Sequence, residues 1–270
     1  MLWGQSGIGD AWYDGESVLM DSPEIDGGID ALVEQIGNRL LERLGRSGDA
    51  GLIAERAVVW SGPACALELD LSGETITDGE TREVSGAASD RGIYAVWTAG
   101  ARLAAAVAAL TSSETAVGVR LEAGLSSVAK AAEAQNAIRL GAQAVEIPLD
   151  LGLALANEWD RLFADLRAAA EPAAAVGAAF VVAVSGPDLA GPSLARAAAL
   201  ARLAGGNAVR VVGSVRSHQP PTAEHVGIVA QALGAEAETL AEGLQPELAA
   251  AGAVRLSSPA ALRALTSAEG

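Results

Sequence analysis

Lysine is almost missing from this chain. Of 18 basic residues in 270, only Lys130 is a lysine and the others are arginines. An amine that can be neutral at working pH, the group that attacks a carbonyl to form an imine, is therefore available at one position. Cysteine is as scarce. Cys65 stands alone, which excludes an intrachain disulfide and fits a reducing, cytoplasmic setting. The two histidines, His218 and His225, have a spacing that matches no metal motif, and no nucleotide-binding loop is evident, so no metal and no cofactor is expected. His218 is the better placed of the two if a metal were to be held beside the acidic residues below.

Long apolar runs are absent too. No stretch approaches the about 18 large apolar residues of a membrane helix, and the opening Met1 to Gly7 lacks a basic region followed by an apolar one, so neither a membrane span nor a secretory signal is expected. The net charge of −16 and the shortage of clustered cations exclude a nucleic-acid interface built on phosphate contacts. The expected partner is a small metabolite, and an anionic one must be drawn in locally against the overall field. A protein partner is left to the N-terminal region.

What is present is an alternation of short strand-like runs with alanine-rich helical segments. The runs are Ala66 to Leu71, Ile93 to Thr98, Ala116 to Leu121, Ala144 to Ile147, Ala179 to Val184, Ala208 to Val212, Ala235 to Leu240 and Ala253 to Ser257. Between them, Trp159, Leu162, Phe163 and Leu166 fall on one helical face within Asn157 to Ala170. Thr222, after the Pro220-Pro221 loop, reads as the N-cap of a helix running to Leu233. Eight such units predict parallel strands with crossover helices, either a closed (β/α)8 TIM barrel or an open doubly wound sheet. Residues 1–62 read as a separate extension. Ile29, Leu32, Val33, Ile36, Leu40 and Leu44 have helical spacing, with Gly45 as a stop, and Trp3, Trp12, Tyr13 and Trp60 suit packing on the barrel or a contact between two subunits in a homo-oligomer.

Three stretches resemble the deoxyribose-phosphate aldolase family: Val119 to Ile147, Asp160 to Arg167 and Leu200 to Ser214, with a weaker match at Leu67-Glu-Leu-Asp-Leu-Ser72. The resemblance favours the closed barrel, over residues 63–270, and implies a class I aldolase scaffold. It also implies that Arg210 stands where the family has its Schiff-base lysine. A guanidinium stays protonated and forms no imine, so this mechanism is not expected here. The family's second lysine corresponds to Thr239. Asp70 matches the family's first-strand aspartate, and Glu146 is a one-carbon extension of its fourth-strand aspartate. Arg120 falls where the family has an apolar wall.

In a parallel barrel the chemistry lies at the C-terminal ends of the strands. The polar residues expected there are Glu68, Asp70, Arg120, Glu122, Glu146, Asp150, Arg210, Glu238 and Arg255. The candidate catalytic residues are Asp70, Glu146 and Arg210. The candidate binding residues are Arg120, Asp150, Ser214, Ser257 and Ser258. One reading has Arg210 and Arg120 gripping a carboxylate or phosphate while Glu146 or Asp70 moves a proton, as a lyase or isomerase on a carbonyl- or carboxylate-bearing substrate. The other has Arg210 sitting between Glu146 and Asp70 in an ion-pair network of a non-catalytic homologue. The turns that form the family's phosphate site read Gly213-Ser214, Glu242-Gly243 and Ser257-Ser258-Pro259. Glu242, in place of a glycine, is expected to repel a phosphate.

Overall fold

The computed structural model describes residues 66–73 and 75–259. The elements run β1 (Ala66–Leu71), α1 (Asp78–Asp90), β2 (Ala95–Ala99), α2 (Leu103–Leu110), β3 (Ala116–Arg120), α3 (Ser127–Arg139), β4 (Ala144–Pro148), the short α4 (Leu151–Leu155), α5 (Trp159–Ala174), β5 (Ala179–Ser185), α6 (Gly191–Leu203), β6 (Ala208–Val212), α7 (Ala223–Leu233), β7 (Glu238–Glu242), α8 (Pro246–Ala250) and β8 (Arg255–Ser258). Every strand pairs in parallel with the next, and β8 pairs with β1 through Ala66↔Arg255 to Leu69↔Ser258, so the sheet closes into the expected (β/α)8 barrel. The extension, including the helix expected over Ile29 to Leu44, lies outside the described residues, as does the boundary at residue 62.

Local chemistry sets the helix starts. Thr77 accepts the Glu80 backbone N–H while the Glu80 carboxylate accepts the Thr77 N–H at 2.8 Å, a reciprocal cap that opens α1. Thr222 and His225 cap α7 in the same way, as the sequence predicts for Thr222. Ser126 caps α3 and Asp150 caps α4, each accepting the N–H three residues on. The two last strands begin later than the apolar pattern suggests: β7 at Glu238 rather than Ala235, and β8 at Arg255 rather than Ala253. The chain is still turning after α7, with Gly234 at φ 63°, and alanine-rich sequence does not distinguish turn from strand.

Two layers of apolar packing follow from the pleat. Leu69, Val96, Val119, Val145, Ile147, Val182, Val209 and Val211 are fully buried against helix faces that include Leu162, Leu166, Leu194, Leu200, Val226 and Val229. Trp159, Leu162 and Leu166 of α5 are buried and Phe163 packs beside them, as their spacing predicts. Inside the barrel a smaller apolar cluster joins Trp97, Val181, Ala208 and Leu240. Gly118 lies beside Trp97 in register, and a Cβ there would collide with the indole ring, so β3 carries a glycine where the neighbouring strand carries the largest side chain.

Lys130 belongs to this outer scaffold. It is 2% exposed on α3, and its Nζ lies 2.5 Å from Asp165 Oδ2 of α5, while Ser127 Oγ donates to Asp165 Oδ1 at 2.8 Å. Removing one member of such a buried pair strands the other. Asp165→Ala is expected to lower stability by about 3–5 kcal/mol in urea unfolding, and Gly118→Ala by about 1–3 kcal/mol through overpacking against Trp97.

Candidate active site

The inward face of the barrel carries charge where valine, isoleucine and leucine usually sit. Alternation along each strand turns Glu68 and Asp70 of β1, Trp97 of β2, Arg120 of β3, Glu146 of β4 and Arg210 of β6 to the interior, and the register places Arg120 beside Glu146. Arg210 is fully buried. Its Nε donates to Glu146 Oε2 at 2.5 Å and its Nη2 to Glu68 Oε2 at 2.7 Å, while its guanidinium carbon lies 5.0 Å from the centroid of the Trp97 ring. The indole N–H donates to the same Glu68 oxygen at 2.9 Å. Burial opposes the charge on Arg210, but attraction to Glu146 and Glu68 and the hydrogen bonds to both outweigh it, so this arginine holds its proton more tightly than an ordinary one.

Arg120 sits one level nearer the C-terminal face. Its Nη1 donates to Asp70 Oδ2, its Nη2 donates to Ser257 Oγ at 3.1 Å, and its Nε approaches Glu146 Oε1 to 2.9 Å as an ion-pair contact without the alignment of a hydrogen bond. Asp70 also accepts from the Ser72 backbone and hydroxyl, at 2.9 and 2.6 Å. Towards the other end, Arg255 pairs with Glu68 at 3.1 Å and with Glu238, and stacks on Tyr94 at 4.6 Å. Four carboxylates and three guanidiniums thus form one alternating chain, Glu238–Arg255–Glu68–Arg210–Glu146–Arg120–Asp70, along the barrel interior.

A cavity of about 760 Å³ lies over the strand ends. Arg120, Glu146, Ser214, Ser257 and Ser258 line it, together with Gly213, His218, Glu242, Gly243 and Pro259. Five of the sequence-predicted site residues therefore meet in one place. Three others do not. Arg210 lies beneath the cavity and is not among its lining residues, because its fork is taken by two carboxylates. Its second partner is Glu68 rather than the expected Asp70, which pairs with Arg120 instead. Asp70 is also absent from the lining, and Asp150 serves as the N-cap of α4. Glu238 and Arg255 are corrected in position: each is the first residue of its strand, at the N-terminal end of the barrel, where they line a second cavity of about 640 Å³. Glu122 is exposed beyond the end of β3.

Two contributors have no counterpart in the reading from sequence. Trp97 lies against Arg210 and Arg120, the latter 6.0 Å from its centroid, and the only sequence signal is the glycine at 118 on the next strand. Asp188 organises the turn after β6. It accepts the hydroxyls of Ser185 and Ser214, at 2.6 and 2.7 Å, and the Val215 N–H at 3.0 Å. Burial pushes its carboxyl up, but these hydrogen bonds and the charge of Arg216 together hold it below the ordinary carboxylate range.

No protein-family model matches the chain, and no curated protein matches it by sequence. Solved structures do. A deoxyribose phosphate aldolase from Aeropyrum pernix superimposes with a TM-score of 0.70 at 16% identity, over 82% of this chain and 99% of that one. An aldolase designated QR15 gives 0.68 at 18% identity, over 75% and 93%. A 2,3-dimethylmalate lyase of the PEP mutase/isocitrate lyase superfamily gives 0.53 at 16%, over 80% and 81%. The chain is a closed parallel barrel with its polar site at the C-terminal end. More particularly, it has the fold of the deoxyribose-phosphate aldolases, and at these identities the likeness speaks to fold alone. Among the described residues no helix is long and apolar enough to cross a membrane.

Two outcomes are expected from this geometry. Arg210→Ala leaves Glu68 and Glu146 short of their shared cation and lowers stability by about 3–5 kcal/mol, part of which returns in Arg210→Ala/Glu146→Gln, as measured by urea unfolding. Asp188 has a depressed pKa, so its contribution is complete above the ordinary carboxylate pKa of about 3.9 and is lost as pH falls through the lower folded value. The melting-temperature gap between wild type and Asp188→Asn should therefore close on acidification below about pH 4.

Proposed function

We propose that the protein is a lyase or isomerase on the aldolase scaffold, acting without an imine on a small carbonyl- or carboxylate-bearing substrate. The observation that carries this reading is the pairing of Arg120 with Glu146 on the lining of the cavity, a forked cation beside a carboxylate at the strand ends. The position of Lys130 supports it: the one lysine of the chain is paired with Asp165 between two outer helices.

In this mechanism the substrate's carbonyl or carboxylate oxygen takes the Arg120 guanidinium, whose fork suits two oxygens. Drawing Arg120 towards the substrate relaxes its contact with Glu146 Oε1. That oxygen then accepts the proton of a substrate hydroxyl. As the O–H electrons form the new carbonyl, the adjacent C–C bond breaks and its pair passes to the carbonyl oxygen held by Arg120, as an enolate. Glu146 returns the proton to the enolate carbon, so no oxidant or reductant is consumed. Arg210 positions Glu146 from below by holding Oε2, and Asp70 holds the far side of Arg120.

A second reading, a non-catalytic homologue that binds a metabolite or supports a protein partner, is favoured by the complete burial of Arg210 and by an ion-pair chain that needs no ligand to balance it. A screen of small aldehydes, hydroxyacids and ketoacids by thermal shift and by retro-aldol turnover separates the two. The lyase reading expects a rise in melting temperature that Arg120→Ala abolishes, and turnover that Glu146→Gln lowers by about 10²–10⁴-fold. Binding without turnover would select the second reading.

A further inference from the structure

The structure assigns to Glu242 the role of a specificity-determining residue that occupies the anion-binding position of the cavity and so selects an unphosphorylated substrate. This rests on the reading that the cavity over the strand ends is the substrate site. Turns at the strand ends of a parallel barrel are natural anion sites, because successive backbone N–H groups converge there with no side chain in the way. The turn after β6 has the required form. Gly213 is packed against the turn's own backbone, where a Cβ would meet the Gln219 carbonyl oxygen at 2.8 Å, and its N–H is directed at Glu242 on the cavity lining.

Each of the six N–H groups from 213 to 218 is nevertheless used within the chain. Gly213 donates to Glu242 Oε2 at 2.9 Å and Val215 to Asp188 Oδ2 at 3.0 Å. Ser214 donates to the Gln219 carbonyl at 2.7 Å, and His218 to the Ser214 carbonyl at 3.0 Å. Arg216 and Ser217 donate to Ser214 Oγ, at 3.0 and 2.8 Å. In the neighbouring turn the Gly243 N–H goes to the Ser257 carbonyl at 2.9 Å. Two carboxylates, Glu242 of β7 and Asp188 of the turn after β5, take two of these six donors, and the Ser214 hydroxyl and two backbone carbonyls take the other four.

The two carboxylates differ in their relation to the ligand. Asp188 is not on the cavity lining, whereas Glu242 and Gly213 both are. A phosphate placed on the Gly213 amide would displace Glu242 and face its charge at contact distance, where like charges repel strongly in a partly dry site. A hydroxyl group has the opposite relation to Glu242, because it donates to a carboxylate. The substrate class is therefore a hydroxylated carbonyl compound without a phosphate, its carbonyl end on Arg120 and its hydroxyl end on Glu242.

Inorganic phosphate is the direct probe, read by the Gly213 amide in two-dimensional NMR and by thermal shift. Wild type should show no response, and Glu242→Ala should show a saturable displacement of the Gly213 resonance with a melting temperature raised by about 2–4 °C. A folded Glu242→Ala that ignores phosphate, or a wild type whose Gly213 amide moves with it, overturns the assignment. If Glu242→Ala does not fold, Glu242→Gln serves, since it keeps the acceptor oxygen and loses the charge; it should gain a weaker phosphate response, and no response overturns the assignment equally. A second arm compares glyceraldehyde with glyceraldehyde 3-phosphate. Wild type should bind the unphosphorylated aldehyde at least about tenfold more tightly, and Glu242→Ala should narrow or reverse that preference. Preference for the phosphate ester in wild type overturns the proposal. Gain of phosphate binding in Glu242→Ala with no aldehyde bound by either protein would sustain the role of Glu242 and sink the lyase reading instead.

Discussion

The interaction on which the rest of this barrel depends is the contact of Arg210 with Glu68 and Glu146. A guanidinium with no exposure to water is tolerable only when its charge is met at once, and here two carboxylates and an indole ring meet it. Each of those carboxylates is itself buried and needs more than one donor. Glu68 therefore also takes Trp97 and Arg255, and Glu146 also takes Arg120. The alternation of sign along the barrel interior follows from this requirement, passed from one strand to the next.

The same requirement shapes the site above. Arg120 is held by Asp70, Glu146 and Ser257, contributed by β1, β4 and β8, so its fork is fixed in place before any ligand arrives. This internal pairing meets the charge of Arg120 within the protein, and the proposed substrate must loosen at least the contact to Glu146. It also explains why the network is balanced without a ligand. In the proposed reaction stability and binding compete for the same guanidinium, so that a substrate gains Arg120 only by offering oxygens at least as good as those of Glu146.

The turn after β6 shows a second kind of internal satisfaction. Its N–H groups are met by Glu242, Asp188, the Ser214 hydroxyl and nearby carbonyls, which makes it rigid and polar without making it an anion site. Glycine at a strand end is thus an ambiguous signal. It permits a close approach of backbone to something, and at Gly213 that something is the Gln219 backbone, while the Gly213 N–H goes to the Glu242 side chain.

Much of the architecture is legible in the sequence, because burial on both faces of a parallel strand leaves a mark that needs no tertiary knowledge. Val119, Val145, Val182 and Val209 stand in short β-branched runs, Trp159, Leu162 and Leu166 repeat at helical spacing, and Thr222 precedes its helix as a cap must. The residues that gather at the cavity, Arg120, Glu146, Ser214, Ser257 and Ser258, are legible as polar groups near strand ends. The partners of each charge are not. Which carboxylate meets Arg210 depends on the stagger between β1, β4 and β6, and Glu68 and Asp70 are both inward, two residues apart, so sequence cannot choose between them. Glu238 and Arg255 went to the wrong end of the barrel because both strands start later than their apolar pattern suggests, so a residue expected near the end of its strand is the first one in it. The sequence by itself determined the periodicity, the parallel alternation and the store of inward charge, since these are local properties of the chain. Only the closed sheet decided which charges touch, which cation is sealed against Trp97 and which faces the cavity, because those pairings join residues up to 187 positions apart and exist only once β8 has met β1.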